Sequence, residues 1–220
     1  MWARSAMERI DPDLCDTFVR VVDFLIEFPE AAVRGRGRSA APPGSRDYLE
    51  RQAESFAGAR RVRAPSAPTT IPDPMVSVIV RDHFGVDDPE RAKREHLLSM
   101  GAENAVGDLL ERYLASVIEP LGWVWCSGSL VRAVDFIRPS GAAGNGRWDL
   151  LQVKNRDNSE NSSSSAVRAG TDIMKWHRTF SRRTETNWPA FPDRAAAARL
   201  SEEGFVAFVQ DYLARLPRDA

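Results

Sequence analysis

A chain of 220 residues is long enough to bury a substantial apolar core and to support catalysis. Its 30 Lys and Arg against 31 Asp and Glu give a formal charge of -1, which excludes a global field for a polyanion or a membrane and leaves only local charged surfaces. Two cysteines, Cys15 and Cys126, exclude a disulfide framework and lack metal-ligand spacing; with no secretory leader and no run of eighteen uncharged apolar residues, the expectation is a soluble, cytoplasmic protein.

In chain order, Leu14, Phe18, Val21, Val22, Leu25 and Phe28 recur at helical spacing, and Asp11 before Pro12 suits a cap, so the first predicted helix runs from Pro12 to Phe28. The stretch AAVRGRGRSAAPPGSR, Ala31 to Arg46, has no apolar period; a solvated linker and a basic arm on phosphates both fit it. A shorter helix is predicted over Tyr48 to Ala57. Asp73 with Pro74 then opens a segment, MVSVIVRDHF, that reads as a helix stopped by Gly85, although its valines also suit a strand.

The most regular segment, EHLLSMGAENAVGDLLERYLASVIEPLG, places Leu97, Ala102, Val106, Leu109, Leu110, Tyr113, Val117 and Ile118 on one helical face. Three strands are predicted after it: Trp123 to Cys126, Ser129 to Ile137 and Trp148 to Asn155, the last two joined through the turn PSGAAGNG. TDIMKWHRTF, with Ile173, Trp176 and Phe180 on one side and Thr171 as cap, is predicted to be a short helix. Ser201 opens the last helix, faced by Phe205, Phe208, Val209, Tyr212, Leu213 and Leu216. The fold class is α/β (α+β). A helical region over residues 1–94 is expected to precede a core and C-terminal helix over residues 95–220.

Strand alternation places Gln152 and Lys154 on one face of their strand and turns Asp149 away from Gln152. On the preceding strand Val131, Ala133, Asp135 and Ile137 share a face, and the hairpin brings Asp135 toward Gln152 and Lys154. Glu103 and Glu111, two helical turns apart, are both able to lean over the same edge. Carboxylates converging with a lysine suit metal-assisted phosphodiester hydrolysis, in which hard oxygen ligands hold Mg²⁺. The lysine would orient or deprotonate the attacking water and neutralise phosphate charge.

The polar run from Asn155 to Arg168 leaves directly from the lysine-bearing strand. Asn155, Arg156, Asn158, Ser159, Asn161, Ser162, Ser163 and Arg168, with Lys175 beyond them, are the side-chain types that bond base edges and phosphates. Between Arg147 and Trp188 there are eight Lys and Arg against five Asp and Glu, an excess of 8 − 5 = 3, so this segment can face DNA although the whole chain is neutral. His177, Trp176 and Trp188 lie in the same region and fit a buried tryptophan pair with a surface histidine better than catalytic or base-stacking roles.

The strings AENAVGDLLERYL, GWVWCSGSLVRAVDF, LQVKNRDNSENSSSSAVR and TNW together resemble type II restriction endonucleases of the SinI type, members of the PD-(D/E)xK nuclease superfamily. The resemblance covers Glu95 to Trp188, and its long polar string is its most specific part. It implies a restriction-endonuclease-like core, a mixed sheet flanked by helices, and Mg²⁺-dependent, sequence-specific cleavage of double-stranded DNA. It also implies a homodimer, a short GC-rich palindromic site and a cognate methyltransferase that protects the host. Carried onto this sequence, the first acid matches Asp135 and the lysine matches Lys154, while Gln152 stands where the pattern has its second acid. The helix acid resembles Glu111, with Glu103 as second choice. Asp135, Glu111 and Gln152 are thus the metal ligands, and these three with Lys154 the catalytic set. A structure-specific or repair nuclease of the same superfamily and a non-cutting DNA-binding relative are the alternatives.

Overall fold

The computed structural model describes residues 2–33, 41–66, 68, 69, 71, 73–140, 147–157 and 172–216. Arg34, Arg36 and Arg38 of the basic stretch and residues 141–146 of the glycine-rich turn lie outside them. So do Asn158, Ser159, Asn161, Ser162, Ser163 and Arg168 of the polar run.

The chain forms a four-stranded mixed sheet flanked by helices. Its strands are β1 (Val124–Trp125), β2 (Phe136–Pro139), β3 (Trp148–Arg156) and β4 (Ile173–Thr179), in the order β1-β2-β3-β4. The first two pairings are antiparallel and β3 with β4 is parallel. Val124, Ile137, Leu150 and Ile173 join the core built by three helices, α1 (Trp2–Glu8), α2 (Cys15–Glu27) and α3 (Arg46–Arg60). Their sequence neighbours Trp125, Phe136, Leu151 and Met174 belong to or pack against the other core, with α5 (Pro89–Ile118), the short α6 (Arg194–Ala197) and α7 (Glu202–Ala214). The period of two along the strands therefore divides the apolar residues between two layers of helix. Burial of each large side chain in these cores stabilises the fold by about 1.5–3 kcal/mol.

Helix starts follow the expected chemistry. Ser45 accepts from the Tyr48 N–H at the head of α3, Asp73 from Met75 at the head of α4 (Pro74–Asp82), and Ser201 from Gly204 at the head of α7. Asp11 caps a single 3₁₀ turn, Pro12–Leu14, and α2 begins only at Cys15. The cap and first-turn proline decide the helix at Pro74 over the strand that its valines allow.

Two expectations are corrected. The segment predicted as a helix around Trp176 is the strand β4, paired in parallel with β3 from Leu150↔Ile173 to Arg156↔Thr179. The strand expected from Ser129 begins only at Phe136. Ahead of it Ser129 (φ 56) and Ala133 (φ 57) sit in the left-handed region, which interrupts pairing after an isolated bridge between Ala32 and Val131. Val131, Ala133 and Asp135 therefore do not form one strand face.

Arg60 fastens this irregular loop to the helices. Its guanidinium donates to both Glu119 carboxylate oxygens at 3.1 and 2.7 Å, to the Ser127 hydroxyl and to the Trp125 carbonyl, and it stacks over the Phe56 and Trp125 rings. Gly128 (φ +78) lies so close to α3 that an added Cβ would be 2.6 Å from the Ser55 carbonyl oxygen. Gly128→Ala is expected to destabilise the protein by about 2 kcal/mol or more, from left-handed strain plus displacement of α3. An unchanged melting temperature would contradict this reading of the loop.

Candidate active site

The break before β2 creates the site. Because β2 starts at Phe136, opposite Leu151, the next stretch of β3 has no β2 backbone beside it. The Asp135 side chain takes that place: its carboxylate accepts from the Val153 N–H at 2.7 Å, while its own N–H donates to the Leu151 carbonyl at 2.9 Å. A carboxylate so held is fixed in position as firmly as the strand it completes.

Gln152 and Lys154 share one face of β3, with Lys175 and His177 beside them on β4 through the pairs Gln152↔Lys175 and Lys154↔His177. Gln152 is 2 % exposed, and its Oε1 is buried without a hydrogen-bond partner among the described residues. An amide oxygen left unsatisfied costs about 1–3 kcal/mol, so its retention calls for a ligand. From the long helix, Glu111 lines the same cavity of about 850 Å³ as Asp135 and Gln152, and its carboxylate accepts from the Trp125 indole N–H at 2.8 Å. Glu103, eight residues earlier on α5, is exposed and does not line this cavity.

Desolvation pushes the Glu111 carboxyl up from 4.5 to about 8; the Asp135 charge adds to the rise and the Trp125 N–H opposes it. Asp135 is raised from 3.8 to about 6, again chiefly by desolvation, against the Val153 N–H and the positive charge of Lys154. Two acids that resist ionisation in the bare protein become good ligands once a cation neutralises them. Among the described residues no three Asp, Glu, His or Cys side chains converge on one point. The converging set is two carboxylates and one carboxamide oxygen, a hard all-oxygen set suited to Mg²⁺ or Mn²⁺ with waters completing the shell.

These shifts carry a sign. The native state keeps protons that the unfolded chain releases near pH 4, so metal-free stability is expected to fall as pH rises from about 4 to 8, most of the upper range coming from Glu111. Glu111→Gln should flatten the decline between pH 6 and 8. Denaturant melts at pH 5 and pH 8 in the presence of a chelator check this, and a wild type more stable at pH 8 would refute it.

Other expected contact residues are placed differently. Asn155 faces the opposite side from Lys154; its Oδ1 accepts from Arg178 at 3.0 Å and its carbonyl from Thr179 at 2.7 Å, so it braces β4. Asp149 accepts from Arg138 at 2.7 Å, away from Gln152. Arg156 is exposed at the end of β3, and Lys175 is half-buried beside Gln152. Trp176 and Trp188 pack in the core with ring centroids 5.2 Å apart, and His177, half-buried against Phe180, has an unpartnered Nε2. The sequence reading misses Trp125, which holds Glu111, and Arg63, Asp108 and Arg132 on the cavity wall. Arg63 and Arg132 come from distant segments, whereas Trp125, in a strand already recognised, and Asp108, one turn before Glu111 on α5, carried a local signal.

This arrangement, with a long helix packed on a mixed sheet and an acid, an amide and a lysine at one strand edge, has the parts of a phosphodiester-cleaving centre. The SinI restriction endonuclease family matches residues 1–215. Type II restriction enzyme Eco47I of Escherichia coli is 48% identical over 217 residues, covering 97% of this chain and 94% of its own. Type II restriction enzyme SinI of Salmonella infantis is 46% identical over the same length and shares. The chain belongs to the SinI restriction endonuclease family and is a type II restriction endonuclease, a site-specific deoxyribonuclease.

Proposed function

We propose that this endonuclease cleaves double-stranded DNA at a short GC-rich palindrome, with Mg²⁺ as cofactor, as a homodimer, alongside a methyltransferase that protects host DNA. The observation that carries the active-site reading is the buried Gln152 Oε1, with no hydrogen-bond partner among the described residues, in one cavity with two carboxyls that burial raises, Glu111 to about 8 and Asp135 to about 6.

Asp135, Glu111 and Gln152 would hold the cation. When bound, it supplies Lewis acidity toward the scissile phosphate and a more acidic water. Asp135 contributes a position fixed by the Val153 N–H, and Glu111 one fixed by the Trp125 N–H. Lys154 brings positive charge to both acids and to the phosphate, and orients the attacking water. The chain continuing beyond β3, with Arg156, the run to Arg168 and Lys175, would read bases and grip phosphates next to the cut.

Gln152 is the departure this reading has to accommodate, because a neutral amide is a poorer ligand than the carboxylate it replaces. Incubating the protein with supercoiled plasmid and Mg²⁺ tests it. Linear product that disappears with chelator supports Mg²⁺-dependent cleavage at this centre. Intact plasmid with Mg²⁺ and a salt-dependent mobility shift would overturn it.

A further inference from the structure

We infer that the hairpin of α4 with the first half of α5 is the surface through which two copies of this chain associate, each arm packing on its twin as a four-helix bundle. The inference rests on the dimeric reading above and supplies the surface it lacks.

The hairpin is built inside out. The α4 helix has no buried residue. On its α5 side it offers Ser77, whose hydroxyl donates to Glu90 at 2.8 Å, and the half-buried Val80. At 100° per residue, Met75 and Ile79 fall on the side opposite Ser77, with Val76 and Val78 on the flanks between. Met75 is 59% and Ile79 54% exposed, and Phe84, just past the end of α4, is 68% exposed. A free surface helix turns such a stripe inward; here the stripe points to solvent.

These five side chains expose on the order of 500 Å² of apolar surface, at the upper end of what a lone soluble domain tolerates. Two copies that covered all five would remove at most on the order of 1,000 Å² before any polar rim is counted, the size at which a specific interface begins. Along Arg81 to His96 there are four Lys and Arg (Arg81, Arg91, Lys93, Arg94) against five Asp and Glu (Asp82, Asp87, Asp88, Glu90, Glu95). A face with both signs can complement itself across a two-fold axis, and it repels DNA as much as it attracts it. An isologous helical pairing therefore fits where a polyanion does not.

The test is sedimentation of the full chain without DNA or metal, so that it does not depend on catalysis. Wild type at 20 µM is expected at twice the 24.5 kDa chain mass. Ile79→Glu, and separately Met75→Lys, should each sediment as monomers with unchanged circular dichroism and melting cooperativity, since both positions are exposed. A monomeric wild type, or variants that stay dimeric, would overturn the inference while leaving the plasmid result untouched. A dimer broken by both substitutions in a protein that cuts no DNA with Mg²⁺ would uphold this surface and overturn the Mg²⁺ proposal.

Discussion

Lys154→Ala is expected to lower the rate of DNA cleavage by about 10³-fold while leaving the fold and the affinity for DNA nearly intact. Lys154 is half-buried on β3, beside His177 of β4, and its charge lowers the pKa of both Glu111 and Asp135. Its removal takes away the lysine charge that acts on both carboxylates, so the transition state loses a donor at the point where phosphate charge builds. With the base contacts in the chain beyond β3, as proposed, a gel shift in Ca²⁺ should persist. The same loss therefore predicts a second readout: the metal-free variant should hold the protons of the two acids to higher pH than wild type. Retained cleavage would remove Lys154 from the catalytic set.

Asp135→Asn should be as damaging by a different route. The substituted side chain keeps an oxygen that accepts from Val153, so β3 and the loop before β2 should stay in place. The charge is lost, leaving Glu111 as the one carboxylate among the three proposed ligands, with two carboxamides. Metal affinity should drop by more than the ~10–100-fold that loss of an outer-shell partner costs, and cleavage by about 10³-fold. Glu111 would at the same time ionise more readily, because the neighbouring charge that helps raise it to about 8 is gone. Calorimetric titration with Mn²⁺ across pH 6 to 8 reads both effects. An affinity equal to wild type would place the metal somewhere other than between these residues.

The glutamine itself has a physical rationale in this setting. A third carboxylate at position 152, buried at 2 % exposure, would face Asp135 and Glu111, whose ionisation is already suppressed by burial. The amide supplies the ligand oxygen without adding to that repulsion, and Lys154 and the bound cation then need to neutralise two charges instead of three.

Much of this was legible in the sequence for local reasons. Alternation along LQVK separated Gln152 and Lys154 from Leu151 and Val153, and the caps Asp73 and Ser201 marked helix starts that depend only on neighbouring residues. What was missed depends on distant partners. Ile173, Trp176 and Phe180 fit a helical period, but Met174, Trp176 and Arg178 fit a strand equally well. Only the parallel partner β3, reached across residues 158–171, selects between them. The left-handed Ser129 and Ala133 have no sequence signature, since neither residue type favours that region; the Arg60 and Ser55 contacts hold the loop there. The resemblance put Glu111 ahead of Glu103, and α5 does bring Glu111, not Glu103, to the cavity.

The most direct test of the central claim is digestion of unmethylated phage DNA with Mg²⁺, followed by sequencing of the fragment ends. Discrete fragments whose termini share one short palindrome, formed by wild type and not by Lys154→Ala, are the predicted result. Random ends, cuts confined to junctions or flaps, or equal cutting by Lys154→Ala would contradict it.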